Sequence, residues 1–223
     1  AGGVARATQG QVQLLQPRGT VWTGSAQLVL TGGQASKDSA ALPGRVDWQL
    51  RPTWSGLRAR LQAGCCTAEP LQAQVHLRWT GLQITLADGQ SQWPAALLAG
   101  LGTPWNTLQP QGQLALQTRA LAVQWAEGRM VLSGQAQMDA RAMSSRLSTL
   151  RPMGSYRLVL QGGEVPTLAL STLDGALQLS GSGQWVGNRL RFAGEASATP
   201  EREAALSNLC LLYTSDAADD SLR

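Results

Sequence analysis

The residues that could carry bond-making chemistry are few and scattered. His76 is the only histidine, and it stands between two apolar residues in Val75-His-Leu77. A Ser-His-acid or Cys-His arrangement could use only this imidazole, and alternation predicts that it lies on the polar face of a strand. The carboxylates before the last helix-like segment are dispersed, and several stand where turns are expected: Asp38, Asp47, Glu69, Asp88, Glu127, Asp139, Glu164, Asp174 and Glu195. No catalytic residue is predicted, and a hydrolase would require His76 or a carboxylate pair to line a cleft.

The cysteines do not predict a metal or redox site. Cys65 and Cys66 are adjacent, and Cys210 stands alone. Neighbouring cysteines seldom bond to each other because the ring that they close is strained. The chain has no CxxC motif and a single histidine, so the ligands of a zinc site are missing. We therefore predict two small, half-buried thiols, no metal and no cofactor.

Charge and hydropathy exclude several classes of protein. The 223 residues carry 18 basic and 14 acidic side chains, a net charge of +4, and only 14% of residues are charged; 23 glutamines supply much of the polar surface. The arginines occur singly, whereas nucleic-acid binders cluster basic residues on one face. A mildly basic solvated surface is predicted, with no nucleic-acid partner and at most a modest attraction to anionic lipid. No apolar run approaches the roughly 18 residues of a membrane span.

The elements that position these residues are predicted to be β-strands. Apolar and polar residues alternate with a period of two, which is typical of an antiparallel sheet with one packed and one wet face. In the segment Arg45–Leu50, for example, Val46, Trp48 and Leu50 should share a face. The runs with this pattern are 11–14, 20–23, 26–30, 45–50, 57–62, 74–79, 82–86, 113–117, 121–125, 130–133, 155–160, 167–171, 176–186 and 189–196.

Turns and helices complete the predicted meander. Hairpins are expected at Glu127-Gly128, Asp174-Gly175 and Gly187-Asn188, and Gly181 and Gly183 are expected to bulge their strand. Residues 93–101 and 200–209 predict short helices. Residues 136–150 are ambiguous, because Met138, Ala142 and Arg146 fit helical spacing but Ser144 and Ser145 weaken it. Most of the tryptophans are predicted to fill the core or an edge of the sheet, with the core favoured, and Trp93 or Trp105 to seal an end of the sheet. The fold class is therefore mainly β: a curved antiparallel meander with one or two short helices.

Several segments together resemble the periplasmic domain of type II secretion system protein N. Gly19-Thr-Val-Trp-Thr-Gly-Ser-Ala26 resembles the family's GTVWxGxA segment, and the strand Val46–Pro52 follows it. Residues 102–112 resemble the family's central loop, residues 173–185 its late hairpin and residues 200–209 its closing helix. The resemblance implies a non-enzymatic component of the type II secretion machinery, held in the bacterial inner membrane by an N-terminal helix that precedes this chain and acting in the periplasm on other subunits.

Two further expectations follow from this resemblance. Residues 1–209 should form a single β-rich domain truncated at both ends, while residues 210–223 resemble a translated adapter from sequencing-library preparation and should be foreign. The family is also similar to AsmA-like lipid-transfer proteins, which keeps a lipid-binding groove open as the alternative function. A continuous apolar inner face would favour lipid, and an inner face closed by Trp and Leu packing would favour a scaffold.

Overall fold

A computed structural model describes residues 2–33, 36–78, 81–126, 129–187 and 189–200. Two short α-helices and a 3-10 helix accompany the strands: α1 (Gly2–Ala7), the 3-10 helix (Ala95–Leu101) and α2 (Trp105–Leu108). The strands are β1 (Val12–Gly19), β2 (Thr23–Thr31), β3 (Ser39–Ala41), β4 (Val46–Thr53), β5 (Gly56–Ala63), β6 (Leu71–Arg78), β7 (Gly81–Leu86), β8 (Gly89–Pro94), β9 (Gln111–Ala126), β10 (Arg129–Ser144), β11 (Gly154–Gly163), β12 (Thr167–Gly175), β13 (Leu177–Val186) and β14 (Arg189–Ala198).

These strands form one antiparallel sheet whose order largely follows the chain. The path runs β1-β2-β4-β5-β6-β7-β9-β10-β11-β12-β13-β14, with β3 paired to β2 and β8 paired to β9. The sheet does not close, because β1 and β14 are not paired with each other. The predicted mainly-β antiparallel meander is thus confirmed.

The register gathers the apolar residues on one face. One row of directly paired residues crosses six strands as Pro52, Leu57, Val75, Ile84, Val123 and Leu132. A second row crosses the later strands as Thr118, Ala136, Leu160, Leu168, Gly183 and Phe192. Val46, Trp48 and Leu50 lie on this same apolar face, as predicted, since they pair with Ala63, Leu61 and Ala59.

Two small hydrophobic clusters cover one end of this apolar face. In the first, Leu42, which follows β3, and Leu97, which lies in the 3-10 helix, pack with Ala63 and Cys66, and Trp93 lies against them. In the second, Met153, Tyr156 and Leu177 pack with the loop at residues 145–153 and with α2. Asn106 of α2 donates to Asp38 Oδ2 at 2.9 Å, which ties the helix to the loop before β3. We call this the capped end, and the opposite end, with the β1–β2, β4–β5 and β6–β7 turns, the turn end.

Three sequence predictions about elements need correction. The runs 113–117 and 121–125 form the single strand β9. The alternation changes between the two runs because Ala120 has a left-handed φ of 47° and the register with β10 shifts between Ser133 and Gln135. The ambiguous segment 136–150 continues β10 to Ser144 and then becomes a loop. The expected strand 20–23 is a turn except for Thr23, where β2 begins.

Gly181 and Gly183 do not bulge their strand. Their pairing with β12 and β14 continues without a register shift. A Cβ placed on Gly181 would instead lie 2.5 Å from Cζ of Phe192, and one on Gly183 would lie 2.9 Å from Cδ2 of the same ring. The two glycines therefore make room for Phe192, which covers them on the apolar face.

The core placement predicted for the tryptophans is wrong in part. Trp22 is 53% exposed and Trp54 is fully exposed at 108%, while Trp125 is also exposed. These residues stand at or beside turns, where no second layer of the described chain covers the sheet. Trp93 does pack into a cluster, in keeping with its predicted place beside the short helix. The helix predicted at 200–209 and the turn at Glu127-Gly128 lie outside the described residues, apart from Pro200.

Candidate interaction surfaces

The structure places His76 at an exposed hairpin rather than in a cleft. Its Nδ1 lies 3.1 Å from Oγ of Ser55, and its Nε2 lies 3.3 Å from Oε1 of Gln74. Gln74 occupies the position in which a catalytic triad would have a carboxylate, so no acid of the described residues orients the imidazole. His76 also lines neither of the two polar recesses described below.

A polar recess of about 620 Å³ lies on the wet face of the sheet. Its floor comes from β9, β10 and β11, and its wall is the connection between β5 and β6. Amide side chains form much of its lining: Gln90, Gln92, Gln117 and Gln137. Because amides hydrogen-bond but do not transfer protons at neutral pH, this lining suits the binding of a polar group.

Asp139 is the buried charge of this recess. Arg157 donates Nε to Oδ1 at 2.8 Å and Nη2 to Oδ2 at 2.9 Å, a bidentate pair. Arg141 and Gln137 donate to the same carboxylate at 3.3 Å and 3.1 Å. The hydrogen bond from Arg157 outweighs desolvation and lowers the pKa of Asp139 from 3.8 to about 2. A carboxylate held ionised by two arginines is a poor general base, so its role is to join β10 to β11.

The prediction of two free thiols is wrong, because Cys65 and Cys66 form a disulfide bond. The connection between β5 and β6 turns sharply here: Thr67 donates its hydroxyl to Ala63 O, and Ala63 N donates back to that hydroxyl. Cys66 O also accepts from Gln92 N at 2.7 Å, which joins the connection to β8. The closed pair of sulfurs therefore belongs to the rigid wall of the recess. In the described part of the chain, no group of three or more His, Cys, Asp or Glu residues is placed to hold a metal ion.

The arginines that stand singly in the sequence are brought together on the wet face. Arg51 pairs directly with Arg58, and Arg60 pairs with Gln49 next to them. Further rows of the same face contain Arg18 beside Ser25, Arg119 beside Gln135 and Arg191 beside Gln184. The prediction of an evenly solvated charge missed this grouping. The sequence does indicate it, because arginine and glutamine alternate with the apolar residues in each run and must therefore share the wet face.

The second recess, of about 540 Å³, lies at the β1–β2–β4–β5 part of this wet face and is lined by Arg18, Asp47, Gln49 and Arg60 among others. Its lining mixes both signs of charge. Neither recess brings a nucleophile, a base and an oxyanion-binding group together, and both are open to solvent on the polar side of the sheet. The geometry therefore offers binding surfaces: two sheet edges that no other described strand pairs with, an apolar face and a basic face.

Comparison with known proteins gives one match. The sequence matches the family model for the type II secretion system (T2SS) protein N over residues 10–223. No curated protein and no solved structure matched the chain significantly. None of the helices in the part of the chain that the structure describes has the length and apolar character of a membrane span. Since the family match covers nearly the whole sequence, this chain belongs to the family of type II secretion system protein N.

Proposed function

We propose that this chain is a non-catalytic accessory component of the type II secretion machinery, attached to the inner membrane and acting in the periplasm by binding other subunits through a free edge of its sheet. Membership of the protein N family supports a role in secretion. The observation that carries the mode of binding is the long, regular edge at β14.

The two edges of the sheet differ in how well they could accept another strand. β1 is interrupted by a register shift between Leu15 and Arg18, and Arg45 donates to Gln16 O at 2.7 Å. Such irregularities protect an edge against pairing. β14 has no shift over its ten paired residues, and nine of the ten are exposed. It therefore favours addition of a partner strand.

The hydrogen bonds to β13 indicate which backbone groups of β14 point away from the described strands. Thr199 N donates to Ala176 O at 2.9 Å, so the odd-numbered residues of this segment point their N–H groups toward β13. The N–H groups of the even-numbered residues Phe192, Gly194 and Ala196 then point away from the sheet. A proline at Ala196 would remove an outward donor without removing a bond to β13.

Co-purification of the full chain with the other secretion subunits tests this mode of binding. Ala196→Pro should lower the recovery of a bound subunit by about tenfold, equivalent to roughly 1.4 kcal/mol for lost backbone hydrogen bonds. Ala196→Val, which keeps the N–H and favours a strand, is the matched control and should bind as the unchanged chain does. Equal recovery with the proline variant, at an unchanged circular-dichroism spectrum, would remove β14 as the docking edge.

A second candidate, lipid handling, is supported by the open part of the apolar face. Between the two clusters of the capped end and the turn end, the rows through Ile84 and through Leu160 have no second layer of the described chain over them. Most side chains in these rows are half-buried by their neighbours, while Leu132 and Thr118 are buried and Pro52 and Phe192 are exposed. A continuous apolar face of this kind suits acyl chains.

Native mass spectrometry of the purified chain, read for co-purified phospholipid, separates the two candidates. Leu168 and Ala169 are consecutive on β12 and face opposite sides of the sheet, since they pair with Leu160 and Val159. Leu168→Gln should reduce bound phospholipid, while Ala169→Gln should leave it unchanged. An absence of phospholipid on the unchanged chain leaves subunit binding as the function.

A further inference from the structure

The exposed apolar side chains are concentrated at the turn end of the sheet. The β1–β2 turn presents Val21 and Trp22, and the β4–β5 turn presents Trp54. Leu77 and Trp125, both exposed, share a register row with Met130 through Leu82. We call Val21, Trp22, Trp54, Leu77, Trp125 and Met130 the tip patch.

Hydrogen bonds hold the turns of the tip patch side by side. Leu50 N donates to Trp22 O at 2.6 Å, and Trp48 Nε1 donates to Val21 O at 3.0 Å, so the β1–β2 turn lies against β4. Leu77 N donates to Ser55 O at 2.8 Å, which places the β4–β5 turn beside β6. The apolar tips therefore form one fixed row along the end of the sheet rather than separate loose loops.

Arginines lie a short distance behind these tips. Arg51 and Arg58 are directly opposed two residue pairs below the β4–β5 turn, about 10 Å along the strand from Trp54 at roughly 3.3 Å per residue. Neither makes an ion pair or a side-chain hydrogen bond with the described part of the chain. Like charges directly across a strand pair repel each other, so an anionic partner would stabilise this pair.

The combination fits a lipid surface better than a protein. The ring of Trp54 stands clear of the protein at 108% exposure, and neither the β1–β2 turn nor the β4–β5 turn contains a carboxylate. Tryptophan is enriched where a protein meets the bilayer interface, and arginine is drawn to anionic headgroups near the surface. A protein partner would need a separate pocket for each protruding tip, whereas a bilayer accepts all of them at one depth of about 5 to 10 Å.

From these observations we infer that the turn end is a membrane-binding edge: the tip patch enters the interface of an anionic phospholipid bilayer, and Arg51 and Arg58 bind its headgroup phosphates. This inference rests on the placement of the turns and is independent of which subunit binds β14.

Vesicle flotation of the full chain tests the inference. Vesicles of equal parts phosphatidylethanolamine and phosphatidylglycerol should carry the chain upward at low salt, and vesicles of phosphatidylcholine alone should carry much less. Arg51→Gln together with Arg58→Gln should lower the partition coefficient by about 25-fold, at about 1 kcal/mol for each arginine and about 1.4 kcal/mol for each tenfold change. High salt should reduce the binding of the unchanged chain in the same direction.

Matched variants at the capped end make the test specific. Trp22→Ser together with Trp54→Ser should weaken binding by about tenfold or more, whereas Trp105→Ser, at an exposed tryptophan of α2, should not. Arg146→Gln, in the loop at residues 145–153, is the control for charge. Because the side chain of Trp54 is fully exposed, the single variant Trp54→Ser should keep the urea midpoint of the unchanged chain.

Three results would overturn the inference: no flotation with the anionic vesicles, equal binding to both vesicle types, or an equal loss with the Trp105 and Arg146 controls. A failure here would leave the β14 experiment unaffected, because that experiment measures recovery of a protein subunit and changes a different part of the sheet.

Discussion

Asp139→Asn should destabilise the chain by an amount that depends on pH in a specific way. The lowering of the pKa of Asp139 from 3.8 to about 2 corresponds to roughly 2 kcal/mol at about 1.4 kcal/mol for each tenfold change in proton affinity. The side chain of Asp139 is 6% exposed, but that of Arg157 is 38% exposed. Solvent screening of the arginine reduces the expected loss to about 1 to 2 kcal/mol at pH 7.

The sign follows from linkage. The folded state holds the carboxylate ionised more strongly than the unfolded state does, so the stabilisation is fully present above pH about 4 and is lost as the pH falls toward about 2. Urea unfolding at a series of pH values should therefore give curves for the unchanged chain and for Asp139→Asn that converge below pH 4. Arg157→Gln and the double variant Asp139→Asn with Arg157→Gln complete a double-mutant cycle. The coupling energy between Asp139 and Arg157 should fall as the pH is lowered over the same range.

Asp47→Asn is the control, because Asp47 lies on the same polar face and makes no ion pair with the described residues. A difference between Asp139→Asn and the unchanged chain that stays constant from pH 7 to pH 2 would refute the role of the ionised carboxylate. So would a coupling energy near zero between Asp139 and Arg157.

Three further predictions concern packing. Leu42→Ala should cost about 2 to 5 kcal/mol by urea unfolding, because Leu42 is completely buried in its cluster; a loss below about 1 kcal/mol would contradict this. Gly181→Ala should cost about 1 to 3 kcal/mol by overpacking against Phe192, and Phe192→Ala should relieve that cost when the two are combined. Tyr156→Phe should leave the unfolding free energy unchanged or raise it, since the buried hydroxyl has no hydrogen-bond partner among the described residues. An absorbance titration of the unchanged chain should include a phenol that Tyr156→Phe removes. Burial raises the pKa of this phenol, Tyr156, to about 12.

The alternation of residue types was enough to predict the sheet but not its irregularities. Most strands begin and end close to the predicted runs, because each side chain of a single antiparallel layer faces either the apolar or the wet side. β9 was divided in two since Ala120 adds a residue to the alternation, and a left-handed alanine leaves no compositional signal. The ambiguity at residues 136–150 arose because Met138 and Ala142 fit helical spacing, while the strand is specified by the polar residues between them.

The candidate surfaces were harder to predict than the strands. The bond between Cys65 and Cys66 depends on how Thr67 turns the connection after β5, which adjacency alone does not show. The carboxylate of Asp139 looked like one of many dispersed acids, because its partner Arg157 lies on the next strand and the register sets their distance. The grouping of arginines could have been predicted by assigning each residue of an alternating run to the apolar or the wet face and then comparing the wet faces of neighbouring strands.

The two ends of the sheet differ in how far their apolar side chains are covered, and this difference has a physical consequence. At the capped end, small and aliphatic residues such as Leu42 and Leu97 are enclosed by helices and by the loop at residues 145–153. At the turn end, the hairpins are short and expose Trp22 and Trp54 to solvent. The apolar side chains at the capped end are enclosed and those at the turn end are exposed, so the two ends of the sheet present different surfaces to a partner. This difference runs along the strands, so an occupant of the turn end would meet the open apolar face edge-on, while β14 would stay free along the side of the sheet.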